Sequence, residues 1–202
     1  MYAVSPNFAD SKLAAGKIED KIDVFEDQMN GWLLAHAHSL ASPAYPTSQH
    51  TGFAILTLVG SYFETIASYL QGASSEYQSA KFFAYGFRAV FPEFETQVVA
   101  KGLPDVDAEL KRVADAYYKE IRCGLFHEAM TRTGTVVVKG AEYTLQVAEH
   151  PITKKLRLEI DPFHLLNRVQ AHFNKYVAAL RDPSETAIRE NFEREWDRRT
   201  TA

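Results

Sequence analysis

Residues 104–131, PDVDAELKRVADAYYKEIRCGLFHEAMT, decide how the rest of the chain is read. After Pro104 and Asp105, apolar or aromatic side chains recur every three or four residues at Leu110, Ala114, Tyr117, Tyr118, Ile121 and Leu125. That spacing predicts a long amphipathic helix. At about 100° per residue, Glu120, Cys123 and His127 share a band nearly opposite the Ala114–Tyr118–Ile121–Leu125 stripe, and Arg122 lies about 140° from His127. The helix is expected to bury one face and to carry an Arg, a His and a Glu off it.

Downstream the period changes. The runs GTVVVKG, EYTLQVAEH and KKLRLEI in 134–160 are short and β-rich, and KGAE supplies a turn between the first two. A small antiparallel β insertion near 134–160 is predicted, resting on the helices because two or three strands bury little by themselves. Asp161-Pro162 then fits an N-cap followed by proline at the first helical position, opening a helix through Phe163, Leu166, Val169, Phe173, Tyr176 and Leu180. A last helix is expected from Asp182-Pro183, with Asp182 as its cap, Ile188, Phe192 and Trp196 inward, and solvated Arg and Glu on its other faces.

Upstream, residues 1–16 show little periodicity and read as a loosely attached arm. From Lys17, the positions Ile18, Ile22, Phe25, Met29, Trp32 and Leu33 predict a helix to about Leu40, interrupted by the turn-rich SPAYPTSQHTG. A second helix over 52–71 turns Phe53, Leu56, Val59, Phe63, Ile66, Ala67 and Leu70 inward and carries one charge, Glu64. That carboxylate is read either as partly exposed or paired, or as a partner for an Arg or His of an active site. Residues 75–100 hold Phe82, Phe83, Tyr85, Phe87, Phe91 and Phe94. Aromatic rows serve as stacking platforms on binders of single-stranded nucleic acid. This row lacks alternating Lys or Arg and is read as core packing or a subunit contact.

The whole is expected to be a single, mainly all-α domain, 1–202, with main helices over 17–131, the β insertion, and C-terminal helices over 161–198. Aromatics make up 12% of the chain and the net charge is −4, which fits a packed globule without a broad basic surface for duplex nucleic acid. The only cysteine, Cys123, excludes an intrachain disulfide and a CxxC metal site and suits a reducing compartment. The opening MYAVSPNFADSKL has no basic segment followed by an apolar run, and the apolar 52–70 stretch is broken by Ser61, Glu64 and Ser68. A cytoplasmic protein without a membrane span is expected.

No phosphate-binding glycine loop or HExxH box is present. His36 and His38 face different ways on their helix, and His164 and His172 lie about 80° and 12 Å apart on theirs, which disfavours a shared metal. No metal or cofactor is indicated. Arg122 and His127 carry the most chemistry. Cleavage of RNA through its own 2′-hydroxyl needs a group to take that proton, one to protonate the leaving 5′-oxygen, and a cation for the phosphorane-like transition state. His can serve either of the first two roles and Arg the third. Tyr117, Tyr118 and Glu120 are nearby accessories. On composition alone, such an Arg and His are more often a solvated pair on an outward face.

The segment Arg122-CGLF-His127 resembles the end-of-helix motif of the HEPN superfamily, an Arg and a His separated by four to six residues. The order of helices over 20–180 is similar to that family's helical bundle. The resemblance implies a homodimer whose two motif helices form a composite cleft with two Arg122 and two His127. It also implies metal-independent cleavage of single-stranded or loop RNA, with His127 as acid/base and Arg122 as the phosphate cation, and with an antitoxin or other regulatory protein as a further partner. The chain departs from the family pattern at Cys123, where a polar residue is common, at Ala129, which is Tyr in one toxin branch, and in the β insertion. The alternatives are a non-catalytic HEPN-like RNA- or protein-interaction module, and a small-molecule or nucleotide module using a concave aromatic pocket over 82–94.

Overall fold

A computed structural model describes residues 2–44, 50–100, 105, 108, 111–112, 115, 117–119 and 135–200. The fold is mainly helical with a small three-stranded sheet. Its central element is α3 (Gly52–Gln71), which takes the bounds its apolar period predicts. Ile55, Leu56, Val59, Tyr62, Phe63 and Ile66 are fully buried. α3 is long and apolar enough to cross a membrane by composition, and here its apolar side forms the core. Phe53, expected inward, is exposed, because it lies in the first turn ahead of that core. Gly72 ends the helix in the left-handed region at φ +59°, and its N–H bonds to the Ser68 carbonyl. A side chain there would also meet the backbone of Asn191, whose amide donates to the Leu70 carbonyl.

Around α3 pack α1 (Ile18–Gln28), α2 (Ala35–Ala41), α4 (Ser79–Val90), α5 (Glu93–Val99), α6 (Pro162–Arg181) and α7 (Thr186–Thr200). The first predicted helix is realised as α1 and α2 joined by a π-helical turn over Met29–Leu34. α4 lies closest to α3. Gly86 permits this, since an added Cβ would overlap the Phe63 carbonyl. Between the two helices Phe63, Phe83, Phe87 and Phe91 make edge and tilted contacts with centroids 5.1–6.3 Å apart. The dense aromatic block is thus mostly core, as Phe82, Phe94 and Val90 are also buried.

The N-terminal segment is not a loose arm. Ser5 and Asn7 donate to the Asp27 carboxylate, Gln28 donates to the Val4 carbonyl, and Lys12 bridges Asp20 and Asp23. These bonds clip residues 4–12 along α1. The last helix begins at Thr186, three residues later than a cap at Asp182 implies. Asp182 instead closes α6 and accepts from the N–H and hydroxyl of Ser184 in a local turn. Phe192 and Trp196 are buried as predicted, and Glu195, read as solvated, is buried with Arg198 and Arg199 on its carboxylate.

The sheet has β1 (Thr135–Val137), β2 (Leu145–Glu149) and β3 (Leu156–Ile160) in the order β1-β3-β2. β2 and β3 are antiparallel, with Val147 opposite Leu158, but β1 runs parallel to β3, so the sheet is mixed and not wholly antiparallel. The reason lies in Asp161. One carboxylate oxygen caps α6 by accepting from Phe163 and His164 N–H; the other accepts from Gly140 and Ala141 N–H. The KGAE segment therefore bonds to the start of α6 and does not close a tight β1–β2 hairpin. Leu145, Val147, Leu158 and Ile160 join the helical core, and the Gln97 side chain of α5 bonds the N–H of Val147 and the carbonyl of Leu145.

Candidate functional site

Arg122, His127 and Glu120 lie outside the described residues, as does the predicted helix of 104–131 apart from positions 105, 108, 111–112, 115 and 117–119. From Ala108 on, those positions are helical. Tyr117 fixes this segment to the bundle. Its ring is fully buried 4.9 Å from Phe87, 5.4 Å from Phe83 and 5.9 Å from Phe63. Its hydroxyl is buried with no hydrogen-bond partner among the described residues, and burial pushes its pKa up. The ring fixes position 117 against α3 and α4.

Tyr118, next in the chain, lies edge-on to Phe83 at 5.3 Å and is half-buried. It lines a depression with Tyr77, Gln78, Ser79, Ala80 and Lys81. Glu64 lines a different, polar depression with Ser61, Thr65, Ser75 and Arg199. Tyr118 and Glu64 therefore border separate surfaces.

A third surface lies on α4. Lys81, Tyr85 and Arg88 are exposed and, at about 100° per residue, fall within about 60° of one another. They lie opposite the Phe83–Gly86–Phe87–Val90 stripe that packs into the core. With Ala84, Ala89, Phe91, Pro92, Glu95, Lys111 and Asp115 they line a groove of about 1050 Å³. Tyr77 extends this row before the helix begins. It is 97% exposed and sits at φ +59°, where Gly or Asn is usual. Holding a bulky residue there costs about 1–2 kcal/mol, and packing of an almost fully exposed ring does not offset it. Aromatic and cationic side chains thus alternate as Tyr77, Lys81, Tyr85 and Arg88. Read by adjacency in the sequence, the block lacks interleaved cations; read at the helical spacing of three and four, it has them.

The cations of this row are held locally. Arg88 pairs with Glu95, Lys111 with Asp115, and Lys81 donates to Gln78 at 3.3 Å. These pairs are open to solvent, where they contribute little and exchange readily for another anion.

Two of the described histidines bond to other elements. His38 shares a 3.2 Å hydrogen bond with Gln170, and His172 Nδ1 lies 2.7 Å from the buried Tyr62 hydroxyl. Burial, then the charges of Arg168 and Lys175, push the His172 pKa down to about 4, so it is neutral at pH 7. Burial likewise holds the Tyr62 hydroxyl protonated, well above its ordinary range. This pair joins α3 to α6. Among the described residues, no group of three His, Cys, Asp or Glu side chains is arranged to hold a metal ion. No family model, curated protein or solved structure matches the chain.

Proposed function

We propose that the chain is a metal-independent endoribonuclease of the HEPN type, acting in the cytoplasm as a homodimer on single-stranded or loop RNA. The observation that carries this reading is the Arg122-CGLF-His127 motif, which follows five residues after a tyrosine locked between α3 and α4. The mainly helical architecture and the row of exposed aromatics and cations beside Tyr118 support it.

In the proposed reaction the ribose 2′-hydroxyl attacks the adjacent phosphorus. His127 takes the hydroxyl proton or supplies one to the departing 5′-oxygen, and the same residue of the second chain provides the complementary step. Arg122 offsets the charge that builds on the non-bridging oxygens. The products are a 2′,3′-cyclic phosphate and a free 5′-hydroxyl, and the nucleophile comes from the substrate itself. Glu120, Tyr118 and Glu64 are the accessory candidates. An antitoxin or other regulatory protein would act by covering the cleft.

The test is incubation of mixed-sequence RNA with the purified protein and a chelator, beside folded His127→Ala and Arg122→Ala variants. Cleavage lost in both variants supports the reading. Activity retained in both places the chemistry elsewhere. A non-catalytic RNA-binding module is the second reading, favoured by one observation: the exposed aromatic and cationic row on α4 is made of residues other than Arg122 and His127.

A further inference from the structure

We propose that the outer face of α4 is the path along which single-stranded RNA runs, with bases stacked on Tyr77 and Tyr85 and phosphates held by Lys81 and Arg88. The identity of the strand rests on the ribonuclease reading; the surface itself rests on the spacing, exposure and charge of these four side chains.

A single strand differs from a duplex in offering unpaired base faces along with a backbone charge at every step. A surface that fits it must therefore alternate flat aromatic rings with cations. α4 does so. Lys81 and Arg88 flank Tyr85 four residues before and three after it, which places all three on one side of the helix, with successive members about 6 Å or less apart along its axis. The two tyrosines are free of the core: Tyr85 is 46% exposed and Tyr77 97%. The Phe side chains on the opposite side of the same helix are buried. Tyr85 lines the groove beside alanines 80, 84 and 89, with Lys81 and Arg88 on the same wall.

Charge complementarity points the same way. Over residues 75–91 the cations are Lys81 and Arg88, and Glu76 is the one acid, in a chain whose net charge is −4. The acids that do reach the groove, Glu95 and Asp115, are partners of Arg88 and Lys111 in local pairs open to solvent. A phosphate can replace the Glu95 carboxylate on Arg88 and make a bidentate contact there. The depression shared by Tyr77, Lys81 and Tyr118 continues this face as far as Tyr118, four residues before Arg122 in the sequence.

Binding is read by fluorescence anisotropy of the full-length protein with a short, labelled, 2′-O-methylated single strand, which cannot be cut through its 2′-oxygen. The expected result is saturable binding that Tyr77→Ala and Tyr85→Ala each weaken about tenfold. Lys81→Gln combined with Arg88→Gln should reduce the log–log salt slope by about 1.4, and Lys17→Gln at the start of α1 should change neither. All substituted side chains are exposed, and circular dichroism verifies that the variants fold. No binding, tighter binding of the corresponding duplex, or unchanged affinity in the folded Tyr77→Ala/Tyr85→Ala variant overturns the proposal. Stripe-dependent binding by a protein that cuts no RNA upholds the α4 path and rejects the ribonuclease reading. Cleavage with stripe-independent binding does the reverse.

Discussion

Along α6 the polar side chains reach across the molecule. Gln170 bonds Asn30 and His38, His172 meets Tyr62, Arg168 reaches the Val90 carbonyl and Glu93, and Arg181 bridges Asp23 and Glu26. Along the exposed side of α4, Lys81 turns to Gln78 and Arg88 to Glu95, three and seven residues away. Both helices are amphipathic and both carry cations, so their sequence patterns look alike. The difference is in where the polar groups find partners. Bonds between distant segments are part of how α6 is placed, whereas those of α4 reach only Gln78, beside its own start, and Glu95 on α5, the next helix in the chain. A polar face whose partners are local is the one left available to a ligand.

Three measurements can break or sharpen this contrast. The largest effect is expected on the buried side of α4. Gly86→Ala puts a methyl group into the Phe63 carbonyl, and with backbone on both sides neither helix can yield without displacing the Phe cluster. A loss of about 3 kcal/mol in chemical denaturation is expected; a neutral outcome would mean that α3 and α4 are less tightly seated than the Gly86 contact implies.

The second concerns pH and α6. The His172 pKa lies near 4 in the folded chain, below its ordinary value of 6.5. Between these values the unfolded chain binds the extra proton, so stability is fully present above pH 6.5 and declines as pH falls toward 4. After allowance for partial exposure, this amounts to about 1–2 kcal/mol. His172→Gln keeps a hydrogen-bonding group near Tyr62 and should flatten the decline between pH 6.5 and 5. The paired carboxylates such as Asp23, Asp27 and Glu159 have lowered pKa values and lose their contribution only at more acid pH. An unchanged slope would show that His172 does not control this window.

The smallest effect separates the two polar faces directly. Arg181→Ala removes a bridge from α6 to two acids of α1 and should cost about 1 kcal/mol, whereas Arg88→Ala should stay within about 0.5 kcal/mol. Equal losses in thermal unfolding would erase the distinction between them.

What is legible in residue order follows the same division. The 3–4 period of Ile55, Leu56, Val59, Phe63 and Ile66 is a local property, and α3 has the predicted bounds. Asp161-Pro162 is also a local signal, and the cap forms. Features whose cause is a distant partner are not legible. Ser5 and Asn7 gain their place from Asp27, and β1 takes its parallel position while Gly140 and Ala141 bond Asp161. Asp182-Pro183 repeats the residue types of Asp161-Pro162, but the Asp182 carboxylate goes to Ser184, and α7 starts after that turn. The α4 row has a local signal too, but only at the period of a helix, and adjacency within the aromatic block hides it. Arg122, Glu120 and His127 fall outside the described residues, while Tyr118 and Glu64 border different depressions, so the motif's chemistry stands on residue identity and on the anchoring of Tyr117.

The four N–H groups gathered by Asp161 have a consequence for the order of events during synthesis. Residues 135–149 leave the ribosome before residue 161, so Gly140 and Ala141 must wait for their acceptor. β3 also precedes it and can pair with β2 as an ordinary hairpin, whereas β1 has its loop secured only when the carboxylate that starts α6 arrives. One carboxylate thus closes a structure begun some twenty residues earlier and ties the loop after β1 to the start of α6.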